Sequence, residues 1–386
     1  MEGLNNLIDQ NKIQFNKIYG IETEFTAVAP GRINIIGEHT DYNQGLSMPA
    51  GIDRWVVISM ASRKDEKINI YSLNFQSWLK TNTNEQPKVR ESWQKYIFGC
   101  FKIFSESYPV STGFDAIIYG NVPIGSGVSS SAAIEVSMMN ALRKLYLVNF
   151  DDLTLIKLCQ QVEHQYLKVK SGLLDQYASQ FSKDSHLLLL DFQDLQHQYI
   201  PANFGKYTWV LVDSKVKREL AGSKYSERVA ETQQALKIIQ SKFPEVRQFR
   251  DINEEHVQAV EDKLLLKRIS HYFSENNRVK KAAECIKEND FEALGNLLVK
   301  SHTSLSVDYE VSCEELDFLL DAALKFPHCL GGRMMGGGFG GCTINMVSKS
   351  QQEKFADHMI ESYWERFNIQ AEVNIYRIVD GAGIHS

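Results

Sequence analysis

The sequence predicts an α+β fold in two domains, on three observations. At 386 residues the chain is longer than one hydrophobic core usually serves. Strand-like and helix-like segments are mixed, without the regular alternation of a doubly wound sheet. A glycine- and serine-rich stretch, Asn121-Val-Pro-Ile-Gly-Ser-Gly-Val-Ser-Ser-Ser-Ala-Ala133, joins a strand pattern to a helix pattern near the middle of the first domain.

In chain order, residues 4–18 mix apolar and polar residues at helical spacing. Phe25-Thr-Ala-Val-Ala29 and residues 55–60, 67–71 and 114–119 read as strands, being apolar and β-favouring. Residues 91–104 read as a helix. A second helix follows Ala133, with apolar residues at Ile134, Val136, Met138, Met139, Ala141, Leu142 and Leu145. Helices continue to about residue 181, and His186-Leu-Leu-Leu-Leu-Asp191 reads as a buried strand. The domain boundary is expected at residues 201–205, giving domains 1–205 and 206–386. Residues 207–212 form a strand, and 225–324 are helical with charged, solvated faces. Residues 331–341 hold too many glycines for an element interior and read as a tight, buried loop. A strand at 343–347, a helix at 350–366 and a strand at 371–377 complete the chain.

Composition narrows the function. Hydrophobic residues make up 43% and charged residues 23%, an ordinary globular balance. A formal net charge of −6 argues against a general nucleic-acid or membrane-surface binder, so any anion site must be local. The six cysteines include no CxxC pair, which favours free thiols over a disulfide framework. The opening Met1-Glu-Gly-Leu-Asn-Asn6 has no basic segment followed by an apolar run, and the longest aliphatic run is Leu187 to Leu190. A cytoplasmic protein is expected.

Three segments carry candidate chemistry. In residues 121–133, Gly125 and Gly127 permit a tight turn, and Ser129, Ser130 and Ser131 can cap the following helix. A helix N-terminus offers unpaired N–H groups and partial positive charge, a natural seat for phosphate. In Gly37-Glu-His-Thr-Asp-Tyr-Asn43, Glu38 and Asp41 suit a polyhydroxylated ligand, since carboxylates accept several hydroxyl hydrogen bonds. Arg32, just upstream, supplies a fixed charge. Farther on, Glu163 precedes Asp175 by twelve residues, with Ser171-Gly172 as a helix break between them. Two acids near a phosphate suit separate tasks, one at a Mg²⁺ ion and one at the nucleophile. Each segment alone is also compatible with an ordinary turn or helix surface.

Together and in this order, the motifs resemble the GHMP kinase superfamily of sugar and small-metabolite kinases. Gly31-Arg-Ile-Asn-Ile-Ile-Gly-Glu-His-Thr-Asp-Tyr-Asn43 is similar to the galactokinase-family signature. Pro123-Ile-Gly-Ser-Gly-Val-Ser-Ser-Ser-Ala132 is similar to the superfamily's ATP loop, and Gly332-Arg-Met-Met-Gly-Gly-Gly-Phe-Gly-Gly341 to its C-terminal glycine motif. Trp93-Gln-Lys-Tyr96, Gly222-Ser-Lys-Tyr225 and Asp308-Tyr-Glu-Val-Ser-Cys313 add support.

The resemblance implies a ribosomal-S5-domain-2-like N-terminal domain, a ferredoxin-like C-terminal α+β domain and an active site in the cleft between them. It implies an ATP-dependent sugar 1-kinase acting on D-galactose and MgATP, as a monomer. By the resemblance, Asp175 and Arg32 are catalytic. Glu38, His39, Thr40, Asp41, Gly172, Asp175 and Tyr225 bind the sugar. Ser72, Trp93, Gly125, Ser126, Gly127, Val128, Ser129, Ser130 and Ser131 bind ATP, and Ser131 and Glu163 hold Mg²⁺. The chain departs from common family residues at Ser171, Val128, Met335, Lys95 and Ser226. Kinases for N-acetylgalactosamine, arabinose or galacturonate are close alternatives. A non-catalytic galactose sensor is disfavoured, because the Ser131-Ala132 dipeptide deleted in such sensors is present.

Overall fold

A computed structural model describes residues 3–216 and 221–386. A six-stranded sheet forms the first half, in the order Gly383–His385, Phe25–Asn34, Pro49–Ser62, Phe114–Gly120, Lys67–Ser72, Ser77–Asn82. Only the Lys67–Ser72 and Phe114–Gly120 pair is parallel. Alternation sends successive side chains to opposite faces. On one face Val28, Trp55 and Val57 meet Leu7 and Ile8 of the helix Leu4–Tyr19. On the other, Ala27, Ala29, Val56 and Ile58 join the main core. With both faces covered, the central strands are apolar almost throughout.

The helix Ser92–Ser107 begins with a capping box between Glu91 and Gln94. It buries Trp93, Ile97, Cys100, Phe101 and Phe104, one stripe at helical spacing. The helix Ser130–Leu145 lies beside it in the same core.

The second sheet is antiparallel, in the order Cys329–Met335, Cys342–Ser348, Tyr207–Asp213, Glu372–Ile375. Val210, Val212 and Val347 on one face pack with Leu319, Phe355, Met359 and Tyr363 of the helices Glu314–Lys325 and Gln352–Phe367. Trp209, Leu211, Ile344 and Met346 on the other join the main core with Leu294 and Leu298. One continuous core therefore runs from the first sheet to the second. A small third sheet contains Leu46–Ser47, His186–Asp191 and Gln196–Pro201.

The residues expected as a loop at 331–341 are divided. Gly331 to Met335 lie in the strand Cys329–Met335, and the turn is confined to 336–341. Pairing to Cys342–Ser348 overrides the weak strand preference of glycine. The strands Ser77–Asn82, Gln196–Pro201 and Gly383–His385 add to the expected set. The last of these returns the chain end to the first sheet, pairing with Thr26, Ala27 and Val28. Among the described residues, no helix is long and apolar enough to cross a membrane.

Candidate active site

The strand Phe25–Asn34 carries a register shift between Pro30 and Arg32. Bulges of this kind re-aim side chains beside functional sites. The Arg32 N–H donates to the Val128 carbonyl at 3.0 Å, which ties the strand to the glycine-serine loop. The Arg32 side chain is buried, and its guanidinium meets Oδ1 of Asp175 through Nε at 2.8 Å and Nη2 at 2.7 Å. It also donates to the Gly127 carbonyl. Burial opposes the Arg32 charge, but Asp175 and Glu38 outweigh it and hold the guanidinium above its usual pKa.

Asp175 lies in the first turn of the helix Leu174–Phe181. Its Oδ2 accepts the Ser129 hydroxyl. This corrects the helix-cap expectation for Ser129: its backbone is left-handed, φ 58° and ψ 57°, and its side chain makes no cap hydrogen bond. Ser129 thus belongs to the Asp175 cluster.

A cavity of about 410 Å³ opens beside this pair, lined among others by Arg32, Glu38, His39, Asp41, Asp175 and Tyr225. Oε1 of Glu38 accepts from the Gly336 N–H at 2.7 Å and from Arg333 Nη2 at 3.1 Å. His39 has φ 60° and is buried. Its ring lies 5.4 Å from that of Tyr225 and 5.0 Å from that of Tyr309. Burial lowers its pKa to about 3, so the imidazole is neutral. Asp41 is pushed up to about 7 by burial, reinforced by Asp175 and Glu38. Its carboxylate lies against Gly172, where an added Cβ would fall 1.6 Å from Oδ2. Tyr225 lines the cavity with Gly172, whose N–H is directed at the tyrosine oxygen. Thr40 does not line the cavity. Its hydroxyl locks the loop, with the Gly37 and Leu46 carbonyls at 3.0 and 2.8 Å and Ser47 Oγ at 3.0 Å.

The loop is gripped from the helix Lys263–Glu288. Glu275 accepts the Gly37 N–H at 2.9 Å, Asn276 accepts the Leu46 N–H at 2.7 Å, and His271 Nε2 lies 3.2 Å from the Glu38 carbonyl. Sequence reasoning missed these residues, and the charge-rich helix gives no local sign of them. It also missed Arg333, whose signal was a lone cation inside an apolar, glycine-rich run. Met335 is fully buried, and its sulfur accepts the Asn34 N–H at 3.2 Å.

A second cavity, of about 260 Å³, shares Tyr96 with the first. Ser72, Phe75, Trp93, Ser130 and Ser131 line it, at the N-terminus of the helix Ser130–Leu145. The Trp93 and Phe75 rings are near parallel, 11° apart with centroids at 6.4 Å. Glu91 anchors the Trp93 indole N–H at 3.0 Å. Gly125 and Gly127 turn the chain at φ 84° and 83°. With Ser126 and Val128 they shape the loop without lining either cavity. Ser126 Oγ donates to the Pro123 carbonyl at 3.2 Å.

Glu163 sits on a wide π-type turn, Val162–Leu167, that continues the helix Asp152–Gln161. It lines the first cavity, and its carboxylate accepts the Ser171 hydroxyl. Burial and the nearby Asp175 raise its pKa to about 8. Gln176 hydrogen-bonds Glu163 and also donates to Glu135 Oε2 at 3.0 Å. Ser131 hydrogen-bonds Tyr96, whose hydroxyl feels the charges of Glu163 and Glu135. Among the described residues, no group of three or more His, Cys, Asp or Glu could hold a metal ion. Ser131 and Glu163 offer a hydroxyl and a carboxylate, a donor set that fits a cation arriving with its own phosphate ligands. Of Gly222-Ser-Lys-Tyr225, the side chains before Lys224 lie outside the described residues.

Three family models match the chain. The galactokinase galactose-binding signature covers residues 13–62, the GHMP kinases N terminal domain residues 95–183, and the GHMP kinases C terminal domain residues 282–365. A galactokinase from Staphylococcus carnosus is 37% identical over 389 aligned residues, covering 98% of this chain and 99% of that protein. One from Thermotoga maritima is 39% identical, covering 88% and 94%. The solved structure of Lactococcus lactis galactokinase complexed with galactose superposes with a TM-score of 0.90 at 34% identity, covering 96% of this chain and 98% of that one. A mevalonate kinase, at TM-score 0.64 and 18% identity, shares the fold. The chain belongs to the galactokinase family of the GHMP kinases.

Proposed function

We propose that the protein transfers the γ-phosphoryl group of ATP to the anomeric hydroxyl of D-galactose, giving galactose 1-phosphate and ADP. The observation that carries this reading is the Arg32–Asp175 pair, which lies between the glycine-serine loop and the Glu38–Asp41 loop.

Phosphoryl transfer depends on alignment and charge neutralisation more than on covalent chemistry. In this reading Asp175 orients the anomeric hydroxyl and can accept its proton. Arg32 stays charged despite burial and offsets charge on the transferring group. Glu38, Asp41, neutral His39 and Tyr225 recognise the sugar's hydroxyls. A buried polar site rejects a sugar whose hydroxyl points elsewhere, because its own groups are then left unpaired.

The second cavity takes the nucleotide. The near-parallel Trp93 and Phe75 rings suit a purine, with Ser72 beside them. The loop Gly125–Ser131 and the helix N-terminus suit its phosphates. Mg²⁺ enters as part of MgATP. Ser131 and Glu163 would hold it, and when bound it neutralises phosphate charge. Thr40 acts through the loop's shape rather than by touching sugar.

The division at 205/206, with the tail after residue 376 returning to the first domain, belongs to the same proposal, as do a monomeric state and a cytoplasmic location. An ADP-release assay across a panel of sugars tests the reading. Galactose is the expected acceptor, and no galactose-dependent ADP release would overturn it.

A further inference from the structure

Ser171 and Gly172 line the first cavity together with Glu163, Asp41 and Tyr225. On one side, the Ser171 hydroxyl donates to Oε2 of Glu163. On the other, Gly172 faces the sugar-side groups: its N–H is directed at the Tyr225 hydroxyl oxygen, and the Asp41 carboxylate packs on its bare Cα. The Ser171 carbonyl is fixed separately, by Gln160 Nε2 at 3.1 Å and His164 Nε2 at 2.8 Å. Gln160, Glu163 and His164 all lie where the helix Asp152–Gln161 passes into its wide turn.

The arrangement forms a short mechanical chain. Asp41 and Tyr225 touch Gly172, Gly172 is bonded to Ser171, and Ser171 orients one oxygen of Glu163. A sugar that fixes Asp41 and Tyr225 therefore fixes the placement of Gly172 and, through it, the carboxylate of Glu163, the proposed Mg²⁺ ligand, which acts on Tyr96 where the two cavities meet. The Ser171 hydroxyl is the single link in this chain that is neither backbone nor a proposed ligand contact.

We propose that Ser171 is a positioning residue that couples galactose occupancy to MgATP binding, by setting the orientation of the Glu163 carboxylate. The inference rests on the functional reading above and adds a regulation of the same site. It requires positive coupling, and coupling between two ligands is reciprocal. Galactose must tighten the nucleotide by the same factor as the nucleotide tightens galactose.

The experiment is isothermal titration calorimetry of the full-length protein with Mg²⁺ and a non-hydrolysable ATP analogue, with and without saturating galactose. The wild type is expected to bind the analogue on the order of 5-fold more tightly with galactose present. In Ser171→Ala that ratio is expected to fall to about 1, and in Ser171→Thr, which keeps the hydroxyl, to stay near the wild-type value. A merely loosened loop would change the separate affinities but leave the ratio intact, so the ratio is the deciding number. A wild-type ratio of about 1, or an undiminished ratio in Ser171→Ala, overturns the inference while leaving the kinase reading standing. Absence of any galactose binding to the wild type would overturn both.

Discussion

The carboxylate of Asp41 occupies the space a side chain at position 172 would need, with Oδ2 only 1.6 Å from the site of a Cβ on Gly172. Gly172 is therefore required by close approach. Gly172→Ala must displace either Asp41 or the segment leading to Asp175. Displacements of about 1 Å at such sites can cost on the order of 10²-fold in rate. The expected outcome is a fall of about that size in kcat/KM for galactose. Steady-state kinetics with each substrate varied in turn checks this.

The raised pKa of Asp41 makes a pH prediction with a definite sign. The unfolded side chain loses its proton near pH 4, while in the folded protein the group titrates at about 7. Between these values the native state holds a proton that the unfolded state has lost, so stability falls as pH rises. The contribution is fully present below about pH 4 and gone above about pH 7. Asp41→Asn lacks this dependence. Its melting temperature, relative to wild type, is expected to rise across that interval in ligand-free protein. A constant difference would contradict the environment assigned to Asp41.

Arg333 joins the second sheet to the first motif. It is wholly buried and donates to the carbonyls of Ile35, Met334 and Asn34, each at 2.7 Å, as well as to Glu38. Arg333→Met leaves the Glu38 carboxylate without its cation. Breaking a buried pair from one side costs about 3–5 kcal/mol. Urea denaturation should register a loss of that order. Arg333→Lys should rescue little, because an ammonium cannot span the acceptors a guanidinium fork reaches.

Trp93→Ala tests the nucleotide cavity. Removing one of two near-parallel rings should raise the KM for ATP about 10-fold, the worth of an aromatic contact, and leave the KM for galactose unchanged. Equal changes in both constants would mean that Trp93 acts through the fold.

The sequence disclosed those parts of the site whose chemistry is local. The turn at Gly125 and Gly127, the acids at Glu38 and Asp41, and the break before Asp175 each announce themselves within a few residues, because backbone conformation and charge are properties of short segments. The central strands were legible for the same reason, being apolar on both faces. What stayed hidden depends on distant partners. Glu275 and Asn276 lie in a charged helix and look like solvated surface, yet they hold backbone groups of Gly37 and Leu46. The strand Gly383–His385 exists only through its pairing with Thr26 to Val28. The position of Ser129 before a helix predicts a cap, but its backbone is left-handed and its hydroxyl donates to Asp175 instead. Thr40 illustrates the converse: a polar residue in a ligand-binding loop that spends its hydroxyl on the loop itself.

The most direct test of the central claim compares wild type with Asp175→Asn in a coupled ADP-release assay with galactose, alongside calorimetric titration of each with the Mg²⁺-bound ATP analogue. Wild type is expected to release ADP in proportion to galactose 1-phosphate formed. Asp175→Asn is expected to be slower by about 10² to 10⁴-fold while still binding the nucleotide. Near-wild-type turnover in Asp175→Asn would contradict the account.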